Sequence, residues 1–154
     1  MHFDIQYHWD NVSAPFFRNR FRLKSFIASI LEEEGFRHGT VHYVFCSDAY
    51  LRKMNKRFLS HDYSTDILTF DLSEGNDLQG EIYISLQRVK ENGKVYNSSA
   101  QNELLRVMFH GILHLCGYKD KSSSEMADMR QKEDFYLRRY LKHKRNVSAR
   151  NRVP

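Results

Sequence analysis

Residues 98–120 read SSAQNELLRVMFHGILHLCGYKD. Ser98 followed three residues later by Gln101 has the pattern of a capping box, which predicts a helix opening at Ser98. Leu104, Leu105, Met108, Phe109, Ile112, Leu113 and Cys116 then recur at helical spacing and supply the apolar coverage of a core helix. His110 and His114 project from one stripe of that helix, four residues apart. Gly117 follows, a residue without Cβ that can take the left-handed conformation ending a helix and turning the chain back. This stretch therefore predicts a central helix carrying two imidazoles, with Asp120 returning toward them.

Outward from that helix, the chain alternates strands and helices. The segments FDIQYHW (3–9) and TVHYVFC (40–46) alternate apolar and polar residues and are rich in aromatic and β-branched side chains, as strands are. Between them Phe17, Phe21, Leu23, Phe26, Ile27, Ile30 and Leu31 recur at helical spacing as a core-facing stripe until Gly35 stops the pattern. A short helix is expected from Asp48, as its cap, through Met54 to Phe58. Two more strand-like runs, DILTFDL (66–72) and GEIYIS (80–85), flank the turn-forming loop SEGND. A last helix opens at Ser122, where Glu125 completes a second capping box. The fold class expected is α+β: a small mixed sheet of about four strands backed by helices, with the candidate zinc site on the central one.

Size and composition limit the function classes. The chain has 154 residues, 41% hydrophobic and 28% charged, as in one globular domain. Cys46 and Cys116 are the two cysteines, one in a strand-like run and one inside the motif, which argues against a disulfide framework and for a reducing compartment. The N-terminus lacks a basic region followed by an apolar one, and no segment approaches the ~20 apolar residues of a membrane span. A cytoplasmic protein without a membrane partner is expected. Net charge is +5, yet from Arg138 onward there are seven Lys/Arg and no acid, which leaves 17 Lys/Arg against 19 Asp/Glu before it. The basicity belongs to the C-terminus, so a domain over residues 1–142 and a basic tail over 143–154 are expected, the tail fitting nucleic-acid phosphate.

Pairs of histidines four apart on a helix are common without a metal. Added to them, the spacing His-x3-His-x2-Gly-x2-Asp brings two ring nitrogens and one carboxylate oxygen together in His110, His114 and Asp120. Such a three-ligand set leaves the fourth tetrahedral position of zinc open for water, a catalytic rather than a structural arrangement. Cys116 is a poor rival ligand, because two residues past His114 it points about 200° around the helix. In HExxH peptidases the glutamate beside the first histidine takes a proton from water; Gly111 has no side chain to do so. Peptide hydrolysis by that route is disfavoured, and a small residue at 111 is expected to leave room beside the metal for a bulky nucleic-acid backbone.

The stretch HGILHLCGYKD resembles the H-G-x-L-H-L-x-G-Y-D-H signature of the YbeY family of metal-dependent endoribonucleases, the rRNA maturation factors of bacteria. Upstream, MNKRFLSHDYSTDILTF and LQGEIYIS resemble two further blocks of that family, in register from about Met54 to Asp120. The resemblance implies that His110 and His114 are zinc ligands, that Asp120 stands at the family's third histidine, and that one Zn2+ is held per chain, these three residues acting catalytically through water on the metal. Leu59 stands where the family has arginine, a residue suited to gripping phosphate. Arg57 and His61 are the candidate substitutes for binding substrate. Asp66 supports a water or a substrate hydroxyl, or caps the turn before its strand. Glu103, about 20° from the His110 stripe, orients a ligand or pairs with Arg106, the ion pair being the preferred reading.

The function implied is a zinc-dependent, single-strand-specific endoribonuclease of rRNA maturation, including late processing of the 16S 3′ end, and of ribosome quality control. Its partners would be rRNA and ribosomal particles, with no DNA specificity. The alternatives are a non-enzymatic RNA-binding assembly factor with a structural metal, and a metallopeptidase.

Overall fold

A computed structural model describes residues 2–13, 19–60 and 65–150, the last eight of these as backbone only. Strands β1 (His2–Trp9), β2 (His38–Cys46), β3 (Ile67–Asp71) and β4 (Leu78–Ser85) form one sheet in the order β1-β2-β4-β3. β1 and β4 run parallel to β2, whereas β3 is antiparallel to β4. The sheet is thus mixed, and the described residues include five helices: α1 (Arg20–Glu33), α2 (Asp48–Leu59), α3 (Leu86–Val95), α4 (Ala100–Leu115) and α5 (Ser123–Arg150).

Alternation along the strands divides the core. Val41, Tyr43 and Phe45 of β2, with Ile82 and Ile84 of β4, face α1 and α4 in the main core; Cys46 and Leu68 face Leu51 and Met54 of α2 in a smaller one. Each fully buried side chain of this size contributes roughly 1.5–3 kcal/mol. The central helix is apolar on most of its surface, Leu104, Leu105, Met108, Phe109, Ile112 and Leu113 all being buried, because the sheet lies on one side and α5 crosses the other.

Several boundaries differ from expectation. The central helix is capped by Ser99, whose side chain accepts from the Asn102 amide at 3.1 Å, so it starts one residue late. α2 is capped by Ser47, which accepts from Tyr50 N at 3.2 Å; this frees Asp48 to receive Arg88 of α3 at 3.0 Å. At α5 the capping box forms as read, Ser122 N donating to Glu125 Oε1 at 2.9 Å and Glu125 N to Ser122 Oγ at 3.1 Å. Phe21 is exposed rather than in the core stripe, since two residues before buried Leu23 it lies about 200° around the helix. Phe17 lies outside the described residues. α3 was not expected, because its sequence LQRVKENGKV carries a glycine and few apolar residues. α5 continues as helix to Arg150, into the basic stretch that begins at residue 143. Among the described residues, no helix is long and apolar enough to cross a membrane, and Cys46 and Cys116 are both free.

Candidate metal centre

The end of α4 builds this site. Gly117 has φ 104°, in the left-handed region that glycine enters without strain. Its amide donates to His114 O at 3.0 Å and the Tyr118 amide to Leu113 O at 3.0 Å, the paired bonds of a Schellman turn. The turn has a second effect. It carries the Tyr118 carbonyl to within 2.9 Å of His114 Nδ1, which takes the proton there and leaves Nε2 as the outward lone pair.

His110 is oriented by another element. Its Nδ1 lies 2.7 Å from Oε2 of Glu133 on α5, and Glu133 also receives Arg106 Nη1 at 3.2 Å while Arg106 Nη2 reaches Asp134 at 2.8 Å. Burial disfavours the charged imidazole, yet the Glu133 hydrogen bond and charge, with Asp120 and Asp66, outweigh it and raise the pKa of His110. Both Nδ1 atoms are thus committed to acceptors, and both Nε2 atoms turn toward Asp120.

The fit to a cation can be tested on distances. His110 Nε2 and His114 Nε2 are 3.0 Å apart, and Asp120 Oδ2 lies 3.3 and 3.2 Å from them respectively. Ligand atoms about 2.0–2.1 Å from a tetrahedral ion stand about 3.3 Å from each other. The three side chains therefore match three corners around one ion. Among the described residues they are the group of His, Cys, Asp or Glu able to do so; Cys116 rests against the core instead.

Two cavities meet at this centre. One of about 580 Å³ is lined by Leu59, Thr65, Asp71 and Lys121 together with His110, His114 and Asp120. The other, of about 530 Å³, runs along α4 past Asn92, Glu103, Arg106 and Glu133. Asp66, His110 and Asp120 line both.

Expected substrate residues are placed as follows. Asp66 stands at the junction, accepting from Asn92 Nδ2 at 3.4 Å, and burial, partly offset by His110, raises its carboxyl above the usual range. Arg57 lies over the Phe58 ring, 5.3 Å from its centroid, and lines neither of these cavities. His61 lies outside the described residues. Leu59 faces the larger cavity, where the cation among the described residues is Lys121, which sequence reading passed over because it follows the motif in an irregular stretch.

Two readings are corrected. Glu103 does not pair with Arg106, whose guanidinium turns to α5. The acid that orients a histidine is Glu133, 23 residues from His110 on another helix and without a spacing signal. Gly111 does not leave room beside the metal: a Cβ there would meet Ile82 Cγ2 at 2.9 Å, Ile82 Cδ1 at 3.0 Å and Ile67 Cδ1 at 3.1 Å. It faces the sheet, and its missing side chain lets helix and sheet approach.

Glu133→Gln keeps the size of the side chain and weakens its hold on His110. Zinc affinity, read by competition with a chromophoric chelator, should fall about 10- to 100-fold while the fold persists. An unchanged affinity would remove Glu133 from the centre.

The family description Endoribonuclease YbeY matches residues 5–141. Relatives described as endoribonuclease YbeY include that of Cytophaga hutchinsonii, 47% identical over 121 residues, or 78% of this chain and 85% of that one. The Flavobacterium johnsoniae relative is 46% identical over 108 residues, 70% of this chain and 78% of its own. That of Porphyromonas gingivalis is 42% identical over 130 residues, 84% and 85%. The solution structure of TM1509 from Thermotoga maritima is 27% identical, with a TM-score of 0.65 over 99% of this chain and 97% of that one.

Proposed function

The chain belongs to the YbeY family of endoribonucleases, and on that premise we propose that it is a zinc-dependent endoribonuclease cutting single-stranded RNA in the cytoplasm. Its substrate is rRNA within ribosomal particles, and its tasks are late 16S processing, including the 3′ end, and quality control, as the family resemblance implies. The observation that carries the reading is the meeting of two cavities at His110, His114 and Asp120. An extended strand can lie through both, with one phosphodiester at the junction.

His110, His114 and Asp120 would hold the cation, which when bound neutralises charge on the transferring phosphoryl group and activates water. Glu133 and the Tyr118 carbonyl keep both imidazoles on the tautomer that presents Nε2. Asp66, beside His110, accepts a proton-bearing group of the substrate or an attacking water. Lys121 supplies the positive charge that Leu59 lacks, as a point charge rather than a planar fork.

Longer-range attraction comes from outside the groove. Arg22 of α1 donates to Tyr140 O at 2.9 Å and covers the Tyr140 ring, beside the helix that runs into the basic tail, while Arg20 and Lys24 lie over Trp9 and Tyr7 of β1. Deleting residues 143–154 removes Lys144, Arg145, Arg150 and Arg152 and spares the buried Tyr136, Leu137 and Tyr140. If all four cations meet phosphate, the slope of log affinity against log salt becomes shallower by about 3. An unchanged slope would place the basic face elsewhere.

Incubation with single-stranded RNA and with casein tests the assignment. RNA should be cut, chelator should stop it and zinc should restore it, while casein stays intact. RNA bound but uncut at full zinc occupancy would mark an assembly factor, and casein hydrolysis a peptidase; either would overturn the reading.

A further inference from the structure

The cavity along α4 contains a group that the metal centre does not use. Glu103 is 6% exposed and lines that cavity, yet among the described residues its carboxylate has no hydrogen bond or ion pair. Arg106, three residues on, is held by Glu133 and Asp134. A carboxylate this far buried depends for its hydrogen bonds on what fills the cavity it lines, water or a ligand. Burial, with the nearby charge of Asp66, raises its carboxyl despite Arg106 and Arg130.

The cavity's shape narrows the ligand. A second cation is disfavoured, because among the described residues the group that converges as three ligand atoms is His110, His114 and Asp120. The walls are partly apolar, from Ile67, Val107 and Met129, with exposed Tyr96 and Met126 at the rim. Apolar side chains set among hydrogen-bonding ones, Asn92 and Glu103 included, suit a nucleobase splayed from a single strand. The cavity also shares His110 and Asp120 with the candidate metal centre, so a base there belongs to a nucleotide next to the bond at the junction.

We propose that this cavity is a nucleobase subsite in which the Glu103 carboxylate accepts hydrogen bonds from the base edge, with guanine preferred. Guanine is preferred because N1–H and the N2 amino group stand side by side and can engage both carboxylate oxygens, whereas adenine and cytosine offer one amino group and uracil one ring N–H. The subsite rests on the reading of the chain as a ribonuclease, but its base ranking can be measured without cleavage.

The zinc-loaded protein is titrated with the 5′-monophosphates of guanosine, adenosine, cytidine and uridine, and with inorganic phosphate, following amide NMR shifts of α3 and α4. The guanosine nucleotide should bind about tenfold more tightly than the others, the discrimination expected of one bidentate contact. In Glu103→Gln, where one acceptor becomes a donor, that ratio should collapse toward one. In parallel, cleavage of mixed-sequence single strands by the wild type should favour sites with guanine at one fixed position beside the cut, a bias lost in Glu103→Gln.

Equal binding of the four nucleotides by the wild type would overturn the subsite, and this outcome does not depend on any variant folding. So would a guanine preference retained in Glu103→Gln, or shifts produced equally by phosphate alone. A second equivalent of zinc bound by the wild type and lost in Glu103→Gln would also overturn it, in favour of a cation site. Guanine-selective binding without RNA cleavage would leave the subsite standing and sink the ribonuclease reading; cleavage without base selection would do the reverse.

Discussion

Replacing Gly111 by glutamate collapses the fold before it can alter the chemistry. The replacement recreates the HExxH spelling of a zinc peptidase, but position 111 faces Ile82 and Ile67 of the sheet, not the ligand atoms. Even a methyl group would press on these isoleucines at 2.9–3.1 Å; Gly111→Ala should cost about 1–3 kcal/mol and lower Tm by about 5 °C. Glutamate adds four more heavy atoms and an unpaired charge to the interior, a penalty of several kcal/mol more. The sum approaches the whole stability of a domain, about 5–15 kcal/mol. Circular dichroism and thermal unfolding should show Gly111→Glu largely unfolded at 25 °C, without peptidase activity. A folded, zinc-loaded Gly111→Glu would mean that helix and sheet do not meet as described.

His114→Ala should lose both metal and RNA cleavage while the fold remains. In the proposed centre the imidazole would provide one of three ligand atoms and half of the His110 pair, 3.0 Å away, so its loss should exceed the roughly 10- to 100-fold affinity cost of removing an outer partner. Partial burial of the side chain and the surviving Gly117 turn predict a small change in Tm. Asp120→His, by contrast, should keep the metal, since a third imidazole also ligates zinc. Zinc retained at wild-type occupancy in His114→Ala, measured by atomic absorption, would dismiss this centre.

These two variants divide what was legible in the chain. The cluster of His110, His114 and Asp120 could be read because helical spacing and one glycine turn bring it together within eleven residues. Everything in that reading is local. Gly111 illustrates the opposite case: its neighbours in sequence suggested an opening beside the metal, whereas its neighbours in space are the isoleucines of two strands. Glu133 takes both roles offered to Glu103, for the same reason. Glu103 has the helical phase to serve His110, but Arg106 and His110 both turn to α5.

The sequence by itself determined the elements other than α3 and the cluster of His110, His114 and Asp120, since strand alternation, helix caps and short-range spacing are properties of the chain within one or two turns. It also carried the family, through motifs in register from Met54 to Asp120. Tertiary structure alone decided which carboxylate orients His110 and which remains unpaired, that Lys121 rather than Arg57 lines the larger cavity, and that two cavities join at the ligands. Those outcomes depend on how α5 crosses α4 and where α2 meets β3. Such contacts join residues tens of positions apart, and their partners are chosen by packing, for which a linear pattern holds no spacing rule.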